Sequence, residues 1–369
     1  MVGLKLFKIW GLILVVQTLS CATSRTVGPD SKFEVSDDFE PIPDIFGKGP
    51  GSEAPVPSLD AKGMSYSVLG RLMAIQRGIG SKKKFEVCVR GGNPSISDRS
   101  FLLETQLAYA SWLHAAGKAK MFWNLIGFSV QKHCPLKRYR HGAVVVVAKS
   151  GREYYEVSGK AFAAPVIKIS QSGSSMRMGY DGSTGGLGTV GGGQMRLRVR
   201  GAQDQLEINY QMPAMVVFSS HFKWLDLKGL ISRMRSLPRQ HRQSLIVDYQ
   251  ALLKSQRPKL KQLITFNEKL TRHQLVAPQD SSKPSLQELV LSKRIKHGDR
   301  FNPSIGLYRT MLHEVGHQFG LGHPRVPTSV MAYGKHYLHL TTNDRLGMKR
   351  AADKVRWFFN HPRDVFLTH

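Results

Sequence analysis

Residues 313–324 of the 369-residue chain read HEVGHQFGLGHP. His313 and His317 are spaced i and i+4, so on a helix both imidazole rings project from one face, one turn apart. Two neutral imidazoles in this arrangement can bind one zinc ion. Gly320 permits a turn with positive φ, which can bring His323 back towards the helix. The stretch therefore predicts a zinc site formed by His313, His317 and His323.

Glu314 is the residue after the first predicted ligand. A catalytic zinc site keeps one coordination position open for water, and three protein ligands fit that rule. Glu314 is placed to accept a proton from that water rather than to bind the metal. The alternative is a histidine-rich helix end without chemistry, but every fixed position of HExxHxxGxxH has a geometric reason. We therefore predict Glu314 as a general base.

The residues around the motif predict a single helix over 302–320. Asn302 can cap it, Pro303 suits its first position, and Gly320 suits the turn that ends it. Apolar residues recur at helical spacing and predict a buried face: Tyr308, Leu312, Val315 and Phe319.

The extended histidine motif resembles the zinc motif of the metzincin metalloproteases. SVMAY at 329–333 resembles their Met-turn, which implies that Met331 lies beneath the zinc site. The S-x-M-x-Y form is similar to astacins and serralysins, which implies that Tyr333 stabilises an oxyanion; packing beside Met331 is the alternative. LTTNDRLGMKRAAD at 340–353 resembles the final helix of these enzymes.

This resemblance implies an α+β catalytic domain over about 62–369, with a mixed twisted sheet, a zinc-bearing helix, a Met-turn and a C-terminal helix. It also implies zinc-dependent hydrolysis of peptide bonds, with a protein or peptide substrate that adds to an edge strand of the sheet. The family within the superfamily stays open. The sequence has neither a glycine-rich calcium repeat nor a PRCGxPD-type cysteine switch.

Local patterns predict further elements of this domain. KFEVCVR at 84–90 alternates like a strand, and a helix follows that Ser97 or Asp98 can cap and Gly117 can end. The glycine-rich stretch 172–193 is expected to be a flexible hairpin or surface loop. Further strands are predicted at 122–130, 143–148, 164–170, 195–200 and 205–212.

The first twenty residues read as a secretory signal peptide. Lys5 and Lys8 form its basic region, and an apolar run follows that is too short to span a membrane comfortably. TLSC resembles a lipobox and predicts lipidation of Cys21, while ordinary cleavage after Ala22 is the alternative. The protein is therefore expected to be exported, as an outer-membrane or cell-surface lipoprotein or as a periplasmic or secreted protein.

Residues 21–61 are predicted to be an acidic tether or pro-segment. The stretch 23–60 is rich in Pro and Gly and holds three basic and eight acidic residues. Shielding of the metal site by a carboxylate of Asp37, Asp38 or Asp44 is one reading. A spacer that holds the domain away from a membrane is the other.

The remainder of the chain is strongly basic, with a formal net charge of +27 for the whole protein. This charge implies attraction to anionic partners. Residues 221–300 hold 17 Lys and Arg against 6 Asp and Glu, and read as a basic helical insertion. It is either a solvated insertion or a docking surface for an anionic surface or polymer; no specific nucleic acid is predicted. Cys88 and Cys134 are either one disulfide or two free thiols.

Two other functions are compatible with the sequence. The first is a surface-binding lipoprotein with a weak or vestigial zinc site, although a site that only binds metal would not need Glu314. The second is a zinc amidase that acts on cell-wall peptides, for which the positive charge suits an anionic polymer.

Overall fold

A computed structural model describes most of the chain from residue 54 onwards. The described residues are 54–59, 61–80, 82–92, 95–147, 168–171, 174–177, 186–190, 198–200, 203–205, 212–218, 223–276, 304–324, 328–332 and 337–361. The expectations for the signal peptide, Cys21, Asp37, Asp38, Asp44 and Tyr333 therefore lie outside the described residues. In the described ranges, no helix is long and apolar enough to cross a membrane.

Helices make up much of the described chain. In order they are α1 (Ala61–Tyr66), α2 (Val68–Gln76), α3 (Asp98–Ala115), α4 (Ala119–Phe122), α5 (Leu227–Ser232), α6 (Arg239–Lys254), α7 (Leu260–Arg272), α8 (Leu307–Gln318) and α9 (Thr342–Asn360), with a short 3-10 helix at Trp123–Leu125.

Within the described ranges, the strands form one main sheet and three two-stranded ones. They are β1 (Phe85–Arg90), β2 (Ile126–Val130), β3 (Ala143–Val147), β4 (Lys168–Gln171), β5 (Ser174–Arg177), β6 (Gly186–Thr189), β7 (Arg198–Arg200), β8 (Gln203–Gln205), β9 (Ala214–Phe218), β10 (Lys223–Leu225) and β11 (Ser304–Gly306). The main sheet has the order β2-β1-β3-β9-β6. Its first four strands are parallel, and β6 runs antiparallel to β9. The fold is thus α+β, as predicted.

The long helix α3 packs against both the sheet and α8. Ser97 caps it by accepting the backbone N–H of Ser100 at 3.1 Å, and Gly117 ends it with φ of 66°. Trp112, fully buried on α3, donates its Nε1–H to the backbone carbonyl of Leu312 at 2.8 Å. This bond joins α3 to the helix that carries the histidine motif.

Several predicted elements differ from those observed. The helix of the motif begins at Leu307 rather than at 303, because residues just before it form β11 and pair with β10. The predicted strand over 122–130 begins only at Ile126, because the preceding residues make a helical turn with no alternating pattern. Part of the glycine-rich stretch is the edge strand β6, since strand pairing uses the backbone and needs no side-chain signal.

Cys88 and Cys134 form a disulfide. The bond connects β1 to the segment that follows β2, and its Cα atoms are 5.8 Å apart. Cys88 is fully buried beside Val144 and Met215. Of the two alternatives, the structure therefore has the disulfide and not the free thiols.

Arg71 is a buried cation on α2, with 1% of its surface exposed. Its guanidinium donates to the backbone carbonyls of Tyr66, Gly142, Val190 and Met212, at distances between 2.7 and 3.0 Å. Because Gly142 precedes β3, Val190 follows β6 and Met212 precedes β9, one side chain holds the ends of three sheet strands together.

The basic stretch that was predicted to be helical forms α5, α6 and α7 in its described part. The buried face of α7, which packs against α3, is formed by Leu263, Phe266 and Leu270. Tyr249 of α6 is fully buried as well, whereas Lys254 of α6 and Lys261 of α7 are exposed. The helices are thus part of the core on one side and carry cations on the other.

Candidate metal centre

The end of α8 makes the turn that the motif predicted. Gly320 has φ of 86°, a conformation that costs little only for glycine. Its N–H donates to the carbonyl of His317 at 2.9 Å, and the N–H of Leu321 donates to that of Gly316 at 3.1 Å. These two bonds are the Schellman pattern of helix ends. A Cβ at Gly320 would also lie 2.6 Å from the Met64 sulfur, so the position is restricted by packing.

The turn brings His323 beside His313 and His317. One ligand nitrogen from each ring lies within 4.8 Å of the others. The Nε2 atoms of His313 and His323 are 3.2 Å apart. Two nitrogens bound to one tetrahedral zinc at ~2.0–2.1 Å would be about 3.3 Å apart, so this spacing suits a shared metal ion.

Backbone carbonyls determine which ring nitrogens are available. His313 Nδ1 lies 2.8 Å from the carbonyl oxygen of Val330, and His317 Nδ1 lies 2.7 Å from that of Leu321. A carbonyl can only accept, so Nδ1 carries the hydrogen in each ring. Each neutral ring then presents its Nε2 lone pair, which is the form that metals bind.

Burial keeps the three imidazoles neutral. It lowers the pKa of His317 to about 3 and the pKa of His323 to about 4. The pKa of His313 is also lowered well below its ordinary value, first by burial and then by its histidine neighbours. At neutral pH the three rings therefore carry no positive charge that would repel a divalent cation. Three neutral imidazoles with one further position suit zinc.

Met331 packs directly against the helix between the two histidines. Its side chain is fully buried, and a Cβ added at Gly316 would collide with its sulfur. The same added Cβ would lie 3.0 Å from Trp112. A side chain at position 316 would therefore displace Met331 from α8, and sequence reasoning did not single out this glycine.

Asp344 near the start of α9 is a second residue that sequence reasoning missed. Its buried carboxylate accepts the Ser329 hydroxyl at 2.5 Å and the backbone N–H of Thr341 at 2.8 Å. It also accepts the N–H of Val330, the residue whose carbonyl holds His313. Thr341 and Asp344 form a capping box, and that T-x-x-D spacing was the available sequence signal.

Glu314 lies on α8 directly after His313, and its side chain is 3% exposed. It shares the helix with two of the three clustered histidines. Tyr333, the other residue predicted to act in catalysis, lies outside the described residues. Of the predicted site, the structure thus gathers the three histidines, while Glu314 is buried on the same helix and Met331 packs against Gly316 of that helix.

Compared with models of known protein families, the chain matches none, and no curated protein matches it either.

Proposed function

We propose that the protein is an exported zinc-dependent endopeptidase of the metzincin type. The observation that carries the proposal is the cluster of His313, His317 and His323, whose Nε2 atoms converge. A site that only stored a metal would not need a buried glutamate next to a ligand. Glu314 at 3% exposure therefore favours catalysis over metal binding alone.

In this function the three histidines hold the zinc ion. When bound, zinc lowers the pKa of a water molecule to about 7 and polarises a carbonyl oxygen. Glu314 accepts the proton of the attacking water and passes it to the departing amine nitrogen. Tyr333, from the resemblance, would donate a hydrogen bond to the oxyanion.

The position of the edge strand β6 is an argument for a peptide substrate. It lies beside α8, and among the described strands its only neighbour is β9. Since no other described strand pairs with its outer edge, an extended peptide could pair there through the backbone.

The two other functions remain alternatives to this proposal. An amidase that acts on cell-wall peptides is favoured by the net charge of +27, which suits an anionic polymer. A surface-binding lipoprotein would depend on Cys21 and on the cations of 221–300. The amidase would use the same metal centre on another substrate, whereas the surface-binding lipoprotein would have a weak or vestigial zinc site.

Metal analysis of the purified full-length protein tests the metal centre. We expect about one zinc ion per chain. His317→Ala should lose most of it, whereas His114→Ala should keep it, because His114 is an exposed histidine on α3. Full zinc retention in His317→Ala would remove that histidine from the site.

A further inference from the structure

The segment 54–59 lies beside the turn that connects His317 of α8 to His323; we call this segment the strap. The backbone N–H of Ser58 donates to the carbonyl of Gly320 at 3.0 Å, and the N–H of Gly322 donates to the carbonyl of Val56 at 3.0 Å. Between these bonds, Pro57 and Leu321 form an antiparallel bridge. The strap therefore pairs with the turn as a short antiparallel strand.

The sequence of the strap suits this pairing. In antiparallel strands, alternate residues point their backbone N–H groups away from the partner. Pro57 stands at such a position, between the two bonded residues, so its missing N–H removes no hydrogen bond. Ala54 is 1% exposed, and Pro57 is buried as well. Lys354 of α9 donates to the carbonyl of Leu59 at 2.9 Å and holds the other end.

The paired residues of the turn are the ones that orient the ligands. Leu321, opposite Pro57, offers its carbonyl to Nδ1 of His317 at 2.7 Å. Gly322, held by Val56, directly precedes His323. The Schellman bonds fix the start of this turn, and the strap fixes the part that continues to His323.

We infer that the strap is a positioning element of the metal centre, which orients His317 and His323 through the backbone of 320–322. This inference rests on the proposed zinc site. Groups that orient metal ligands contribute about 10–100-fold to metal affinity. It follows that processing of the N-terminal segment preserves the site only if the cut precedes Ala54.

The matched pair Ser58→Pro and Ser58→Ala tests the inference in the full-length chain. Both remove the hydroxyl, which donates to the Gly320 carbonyl at 3.4 Å, but only proline also removes the N–H that donates to it at 3.0 Å. Proline is compatible with an extended segment that already contains Pro57. Zinc affinity is measured by competition with a chromophoric chelator. We expect Ser58→Pro to bind zinc about 10-fold more weakly than wild type, and Ser58→Ala to stay within about twofold.

Equal zinc affinity of the two variants would overturn the inference while leaving the zinc site intact. Failure of the wild-type protein to bind zinc would instead overturn the proposed function. Amide hydrogen exchange on the wild type gives a second measurement that needs no variant. Ser58 and Gly322 should exchange slowly because both donate to the opposite segment; exchange at the rate of an unstructured peptide would also overturn the inference.

Discussion

Asp344 accepts the backbone N–H of Val330 with both oxygens of its carboxylate, each at 3.1 Å. The carbonyl of the same Val330 accepts Nδ1–H of His313 at 2.8 Å. The last helix is thereby linked to the first histidine of the cluster across one residue. Burial raises the pKa of the Asp344 carboxyl, and its hydrogen bonds from Ser329, Val330 and Thr341 act in the opposite direction.

Asp344→Asn should weaken both the fold and zinc binding. The amide nitrogen of asparagine cannot accept, so at least one of the donors at Ser329, Val330 or Thr341 is left without its partner. We expect a loss of about 1–3 kcal/mol in the free energy of unfolding, measured with denaturant. Zinc affinity should fall about 10–100-fold, because the group that holds His313 moves.

Asp353→Asn on the same helix is the control for that variant. Asp353 is partly exposed and pairs with Arg356 at 3.5 Å, so its substitution should change the free energy of unfolding by less than about 0.5 kcal/mol. An Asp344→Asn protein as stable as this control would contradict the role given to Asp344.

Removal of the Cys88–Cys134 disulfide should destabilise the protein. The bond closes a loop across 46 positions, for which chain entropy gives about 4 kcal/mol. The double variant Cys88→Ala with Cys134→Ala should therefore unfold at lower denaturant than wild type. Reductant should shift the wild-type transition and leave that of the double variant unchanged; a wild-type transition insensitive to reductant would speak against the bond.

Because Glu104 is buried, the free energy of unfolding should decrease as pH rises. Glu104 is fully buried on α3, and its Oε1 accepts the N–H of Leu227 at 2.6 Å and the Tyr249 hydroxyl at 3.1 Å. Burial raises its pKa well above the usual 4.5, and the charge of Asp226 raises it further. Below the usual pKa both the folded and unfolded states hold the proton, so the contribution of Glu104 to stability is complete. As pH rises, the unfolded state ionises first and that contribution is lost.

The pH dependence of Glu104→Gln checks this assignment. Glutamine does not titrate, so the stability of the variant relative to wild type should increase with pH above about 4.5, by about 1.4 kcal/mol per pH unit until folded Glu104 ionises. Within the described residues, Glu104 Oε2 has no hydrogen-bond partner. An amide group there would also lack a partner, which lowers the free energy of unfolding by an amount that does not change with pH. Glu268→Gln, at an exposed position, is the control. A flat difference for Glu104→Gln would contradict the raised pKa.

Local patterns predicted the parts of the structure that depend on neighbouring residues. The spacing of His313, His317 and His323 and the glycine turn are local, and the structure brings the three rings together. The predicted start of α8 was wrong because Ser304–Gly306 pairs with a strand some eighty positions earlier. β9 was missed, although its short apolar run is of the same kind as that of β3, which was predicted.

Contacts between distant residues account for the rest of the site. Trp112 and Leu312 are 200 positions apart, and Ser58 and Gly320 are 262 apart. The residues that flank either pair in the sequence do not predict the contact. A tryptophan on a helix face and a proline-rich segment each have many possible partners. Only the folded chain shows that both contacts support the same turn of α8 and the loop after it.

Hydrolysis of a mixed peptide library by the zinc-loaded protein tests the proposed endopeptidase activity. We expect cleavage at internal peptide bonds, and loss of cleavage when a chelator removes zinc. Glu314→Gln should keep its zinc and cleave about 10²–10⁴-fold more slowly, because its amide cannot accept a proton. A wild-type protein that holds zinc and leaves every peptide intact, or a Glu314→Gln variant that cleaves at the wild-type rate, would contradict the proposal.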